Sequence, residues 1–236
     1  MNIDEIQQLK PFRKSKINYV KAIIQQGNAN STYVLKTNKQ KFILRRFKIQ
    51  IDRKKEFAIQ KKVYKKKIGA EPIFLQEDLM INTFLEGEHK NKLTQQALKK
   101  MAKILKKVHK IKIRQKQNSF KKNFKFHHKK AKQAFIILDK QKKEYALGHN
   151  DLHPRNIIFN KKSIKFIDWE YSRYSDIYFD LVSIIIEYKL NLKDRQTFLQ
   201  NYFHQKSINH KKIDAYTIIY KELWKLWFEK LAKGEL

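Results

Sequence analysis

The stretch Gly148-His149-Asn150-Asp151-Leu152-His153-Pro154-Arg155-Asn156 decides how this chain reads. It leaves a strand-like run at Tyr145 and continues as loop. Two short apolar runs follow, Ile157 to Asn160 and Ile164 to Ile167, and they read as a hairpin ending in Asp168-Trp169-Glu170. An Asp and an Asn five residues apart on one loop, with a second Asp at the end of the next strand, can converge on one point. Phosphoryl transfer uses such a set: a carboxylate for the attacking hydroxyl, and hard oxygen ligands that hold Mg2+ against a triphosphate. On that reading Asp151 orients the nucleophile and Asn156 and Asp168 hold the metal. His149 supports the loop through hydrogen bonds rather than by moving protons.

Upstream, Ile17-Asn18-Tyr19-Val20, Ser31-Thr32-Tyr33-Val34-Leu35 and Lys41-Phe42-Ile43-Leu44-Arg45 alternate and carry β-branched and aromatic residues. Gly27-Asn28-Ala29-Asn30 and Thr37-Asn38-Lys39-Gln40 supply turn chemistry between them, so an antiparallel meander is expected. Asp52 stands where an N-cap belongs, and residues 52–67 read as a helix ended by Gly69. Short strands are expected around Ile73 to Leu75 and Leu79 to Phe84. After Gly87 the spacing turns helical, with Leu98, Met101, Leu105 and Val108 following a Thr94 cap. Residues 110–133 form a Lys-rich run with Phe120, Phe124, Phe126, His127 and His128, either an insertion or a helix with one apolar face. Beyond the hairpin the rest of the chain reads as helical. The expected domains are 1–86 and 87–236, with no internal repeat and no Pro- or Gly-rich linker.

Composition bounds the function classes. The 236 residues carry 54 Lys and Arg against 22 Asp and Glu, a formal net charge of +32, yet 42% are hydrophobic and 13% aromatic, enough apolar surface to build a core. With no Cys, disulfide frameworks, thiolate metal sites and Cys nucleophiles are excluded. No apolar run approaches the roughly 20 residues that span a bilayer, and residues 1–10 lack the order of a signal peptide, so a cytoplasmic protein without a membrane span is expected. Only eight of the basic residues are Arg. That mixture of Lys with Ile, Asn, Phe and Tyr resembles the bias of an A/T-rich genome more than a nucleic-acid-reading surface.

His149-x-Asp151-x-x-x-x-Asn156 followed by Ile167-Asp168-Trp169-Glu170 resembles the kinase-like phosphotransferase superfamily that includes aminoglycoside phosphotransferases and choline kinases. The resemblance implies an α+β, two-lobed protein-kinase-like fold. It has a small antiparallel-sheet N-terminal lobe with one helix that binds the nucleotide, and a larger, mostly helical lobe for catalysis and substrate. It also implies ATP and Mg2+ as cofactors. Such a fold places a cation on a strand and a carboxylate on the next helix, which Arg45 and Glu56 resemble. Arg46 competes with Arg45 but falls on the opposite face of the strand. There is no Gly-x-Gly-x-x-Gly loop, so the turn containing Gly27 and Asn28 would cover the phosphates. Thr83-Phe84-Leu85-Glu86 resembles the hinge that offers backbone groups to adenine.

Downstream, Asp168-Trp169-Glu170-Tyr171 runs on through Phe179-Asp180 to Glu187, the order found in choline and ethanolamine kinases. On that resemblance Asp180 braces the catalytic loop and Glu187 faces a substrate ammonium. Tyr220, Trp224 and Trp227 share a helical face. A quaternary ammonium donates no hydrogen bonds and is recognised by aromatic faces with a carboxylate nearby, which suits these residues. The same spacing also serves an ordinary core stripe. From His149 to Tyr188 six acids face five Lys and Arg, a local reversal of sign that suits a cationic substrate and a metal. The expectation is a kinase acting on choline or a similar amino alcohol. Thiamine kinase and aminoglycoside-type phosphotransferase are alternatives, and a basic nucleic-acid-binding protein is the non-enzyme reading. No specific nucleic-acid partner is expected.

Overall fold

In the computed structural model of the chain, residues 1–23, 30–48, 52–114 and 128–234 are described. The turn at Gly27 and Asn28 and residues 115–127 of the Lys-rich run lie outside them. The chain divides into two compact units: Met1–Glu88 with Ile158–Glu170, and His89–Ile157 with Tyr171–Leu236.

The first unit is built on a sheet of five antiparallel strands: β1 (Ile17–Ala22), β2 (Asn30–Thr37), β3 (Lys41–Phe47), β4 (Pro72–Gln76) and β5 (Leu79–Thr83), in the order β1-β2-β3-β5-β4. Alternation gives β3 two unlike faces. Phe42 and Leu44 turn to one side, where they join Leu35, Leu79 and Ile81 in a core sealed by Ile6 and Phe12. Each of these buried side chains contributes about 1.5–3 kcal/mol relative to exposure. Arg45 turns to the other side, directly opposite Met80 in the register. A short helix, α1 (Ile3–Gln7), supplies Ile6 and holds Arg46 through Glu5, while Asp78 takes Arg46 Nε at 3.2 Å. The sequence signal missed this helix, because five residues leave no room for a periodic pattern. Among the described residues this unit therefore carries two helices, a short one besides the one expected.

The second helix, α2 (Lys54–Lys65), starts later than expected: the Asp52 carboxylate caps from outside, accepting the Lys54 amide at 2.9 Å. It also ends before Gly69. Lys67 takes the left-handed conformation, φ 60°, and Ile68 N returns to the Val63 carbonyl at 3.1 Å. The hairpin β7 (Ile157–Phe159) and β8 (Ile164–Phe166) falls mainly in this unit, where Phe166 N bonds the Ile68 carbonyl at 2.8 Å.

The second unit holds α3 (Gln95–His109), α4 (Lys129–Asp139), β6 (Tyr145–Gly148), β9 (Arg173–Asp176), α5 (Tyr178–Glu187), α6 (Leu192–Phe203) and α7 (His210–Ala232). Thr94 caps α3 by accepting the Ala97 amide, and Leu98, Met101, Leu105 and Val108 are fully buried along one face, as their spacing requires. The end of the Lys-rich run forms the start of α4, which buries Ala131, Ala134, Phe135 and Leu138. α3 packs on α6, and α4 and α5 on α7. One element contradicts the all-helical reading after the hairpin: β9 pairs antiparallel with β6, Gly148 opposite Arg173.

Candidate active site

The catalytic-loop stretch leaves β6 at Gly148, where a Cβ would stand 2.3 Å from Ser175 Oγ. Asn150 then takes a left-handed conformation, φ 65°, which Asn tolerates better than most residues. Its amide nitrogen donates to the carbonyls of Gly148 and Tyr171 at 3.1 and 3.2 Å, and its oxygen accepts from Ser175 Oγ at 2.8 Å. The reversal is thus locked from β9, and it presents Asp151.

Below the loop, Asp180 on α5 is 1% exposed. Its two oxygens accept the main-chain N–H groups of His149 and Asn150, both at 2.8 Å. His109 at the end of α3 adds a third contact, Nε2 to Asp180 Oδ2 at 3.1 Å, and its Nδ1 lies 2.6 Å from the Tyr202 hydroxyl. One neutral tautomer satisfies both: Tyr202 donates to Nδ1, and Nε2–H donates to Asp180. Burial alone would raise the Asp180 pKa. The His109 hydrogen bond and the charges and amides around it outweigh that and hold it below the ordinary aspartate value.

Asp151 and Asn156 meet directly. The Asn156 amide donates to Asp151 Oδ2 at 2.8 Å and to the Asp151 carbonyl at 2.9 Å. Both its hydrogens are thereby committed, leaving its carbonyl oxygen turned away from Asp151. His153 Nε2 stands 3.8 Å from Asp151 Oδ2.

Within the first unit, Arg45 and Glu56 form the expected pair, Nη1 to Oε1 at 2.7 Å, with both side chains buried. Asp168, also left-handed at φ 61°, lies 3.2 Å from Arg45 Nη2, an ionic contact rather than an aligned hydrogen bond. Glu170 and Arg53 complete the group: Arg53 Nη1 reaches Glu170 at 2.9 Å and Glu56 at 3.3 Å. Burial opposes the Arg45 charge, but Asp168, Glu56 and Glu170 together hold its pKa above the ordinary value. Glu170 is pushed up by burial and by Asp168, against the pull of Arg45 and Arg53. Three carboxylates against two guanidiniums leave a negative excess, which a divalent cation would relieve. The Asp168 carboxylate and, in the second unit, the Asn156 side-chain oxygen are each of the donor type that Mg2+ takes. Among the described residues no cluster of three or more His, Asp or Glu makes a self-contained metal cage.

On the substrate side, the Tyr220 hydroxyl donates to Glu187 at 2.9 Å and lies 3.2 Å from Ser183, which in turn donates to the Leu152 carbonyl at 2.8 Å. Tyr220 is core. Trp224 and Trp227 are only half-buried, 5.6 Å apart edge-to-face, and Phe228 beside them is 57% exposed. The Trp pair is therefore not the core stripe, which runs through Ile213, Tyr216, Ile219, Tyr220 and Leu223. At the hinge-like segment, Phe84 N donates to the Lys41 carbonyl at 3.0 Å, and Phe84 and Leu85 are half-buried. Sequence reasoning missed Asn150, His109, Tyr202 and Arg53. The left-handed tolerance of Asn in a Gly-His-Asn-Asp turn was a signal for the first. Arg53, in a run of Lys, offered none.

A family model described as the phosphotransferase enzyme family matches residues 22–216. Protein LicA of Haemophilus influenzae is 34% identical over 87 residues, 34% of this chain and 33% of that protein, so the match spans about a third of the relative's length. Among solved structures, choline kinase LicA from Streptococcus pneumoniae superposes with a TM-score of 0.78 at 20% identity, covering 99% of this chain and 90% of that one. An ethanolamine kinase of Plasmodium vivax gives 0.75 at 19% identity, covering 98% and 80%. These likenesses show the kinase-like fold.

Proposed function

The chain belongs to the phosphotransferase enzyme family, and from that premise we propose that it transfers the γ-phosphoryl group of ATP to the hydroxyl of choline or ethanolamine. The observation that carries the reaction type is the Asp151–Asn156 pair on a loop braced by Asp180. Asp151 accepts the hydrogen bond of the acceptor hydroxyl and takes its proton as the oxygen attacks phosphorus, and the displaced phosphate leaves as ADP. Asn156 and Asp168 would hold Mg2+, which neutralises charge on the phosphates when bound. Arg45, fixed by Glu56, supplies a cation for the nucleotide phosphates. Residues 1–86 then act as the nucleotide-binding lobe, with Phe84 and Leu85 beside the base, and 87–236 as the catalytic and acceptor lobe. Most of the catalysis is positioning and electrostatic stabilisation. Such a kinase works where ATP is abundant, in the cytoplasm.

The acceptor assignment rests on the half-buried Trp224–Trp227 pair and on Glu187, which is tied to Tyr220, the ring next to Trp224. Aromatic faces and a carboxylate are what a quaternary or primary ammonium needs. Trp224→Ala should raise the choline KM about tenfold, as loss of a cation–π contact of roughly 1–2 kcal/mol predicts, and leave the ATP KM unchanged. Equal rises in both would remove the acceptor site from this face. Turnover of thiamine or kanamycin above that of choline and ethanolamine, in the same assay, would replace the acceptor while keeping the reaction.

A further inference from the structure

His89 lies 65 residues before Pro154 in sequence, on the segment just after Gly87. Its ring Nδ1 stands 3.2 Å from the Pro154 carbonyl oxygen and 2.9 Å from the Ile157 carbonyl oxygen. Both partners only accept, so Nδ1 carries the proton and shares it between them. These two carbonyls bracket the single 3₁₀ turn Pro154–Asn156 that contains Asn156. At its start the turn is capped by His153, whose ring accepts the Arg155 amide and whose carbonyl accepts the Asn156 amide; at its end the Ile157 amide returns to the Pro154 carbonyl, and three-residue turns of this kind are weak in isolation. His89 grips the same Pro154 carbonyl and the Ile157 carbonyl just beyond the turn.

We infer that His89 is a positioning residue for Asn156, and through it for the Mg2+ site. The inference rests on the proposed phosphotransfer reading, in which Asn156 is a metal ligand. The Asn156 amide can keep both hydrogens on Asp151 and its carbonyl oxygen outward only while the turn keeps its shape. The imidazole staples the two ends of that turn. Packing does not explain the residue: His89 is exposed, so its ring fills no core position and its removal opens no cavity. The chain is also delivered to this place, since the neighbouring Glu88 pairs with Phe159 in both directions at 2.9 Å.

The test compares the full-length protein with His89→Ala and His89→Asn, whose amide puts N–H donors near the Nδ1 position. Mn2+ uptake in the presence of a non-hydrolysable ATP analogue is read by electron paramagnetic resonance, and exchange of the Ile157 amide by mass spectrometry. His89→Ala should weaken Mn2+ about tenfold, as losing an outer-shell partner does, and speed Ile157 exchange, with the melting temperature unmoved; His89→Asn should restore both. Unchanged Mn2+ affinity in His89→Ala, beside a wild type that binds, would overturn the positioning role alone. A wild type that takes up no Mn2+ with the analogue would overturn the metal assignment of Asn156 and this role with it.

Discussion

At Asp180 the physics of a single carboxylate can be followed to a measurable consequence. Burial works against its charge, and the His109 hydrogen bond, the neighbouring histidines and the Asn150 amide more than offset that, so it titrates below the ordinary value of 3.8. A carboxylate whose pKa falls on folding adds stability at pH values above its unfolded pKa, and that contribution is lost as pH drops through the folded one. The urea midpoint of the wild type should therefore exceed that of Asp180→Asn by a constant amount from neutral pH down to about pH 5, and the gap should narrow as pH falls below about 4. A gap that stays constant to the acid transition would contradict the depressed pKa. Asp180→Ala goes further, leaving the His149 and Asn150 amides buried without acceptors. It should cost on the order of 3 kcal/mol in a urea titration at neutral pH. The same carboxylate holds the His149 main chain through its amide.

Among the elements, the segment joining the sheet to the second unit leaves little room for change at Gly87. Gly87 has φ 154°, and a Cβ there would stand 2.5 Å from the Phe159 carbonyl oxygen and from Ile158 Cγ2. Gly87→Ala should lower stability by about 1–3 kcal/mol, which for a chain of this length is several degrees in Tm. An unshifted melting curve would show that the hairpin moves away without cost. The strands and helices with strong patterns were readable from the residues alone: the alternation in β3 separates Arg45 from Arg46, and the spacing Leu98, Met101, Leu105, Val108 marks α3. β9 was not, because Arg173-Tyr174-Ser175-Asp176 has no apolar alternation and becomes a strand only by pairing with β6. For the same reason the bracing of Asn150 by Ser175 was invisible, since it depends on that pairing. In α7 the sequence left core and cage open for the aromatic residues; burial sets Tyr220 in the core and leaves Trp224 and Trp227 half-buried.

At the level of the whole molecule, a net charge of +32 acts on every substrate regardless of site geometry. ATP is attracted and a cationic alcohol is repelled, and salt screens both effects. Raising ionic strength from about 0.05 to 0.3 M should lower kcat/KM for ATP and raise kcat/KM for choline. Parallel trends for the two would show that the long-range field does not steer them. A charge of this size predicts weak, salt-sensitive adherence to nucleic acid that needs no recognition site. Among the described residues no helix is long and apolar enough to cross a membrane. The measurement closest to the central claim is phosphorus NMR of wild type and Asp151→Asn with ATP, Mg2+ and choline. The account predicts a phosphocholine resonance growing with ADP in the wild type, and a rate at least about 100-fold lower in the variant, the span that loss of a general base covers. Phosphocholine formed at equal rates by both proteins, or ATP consumed with no phosphorylated alcohol appearing, would contradict it.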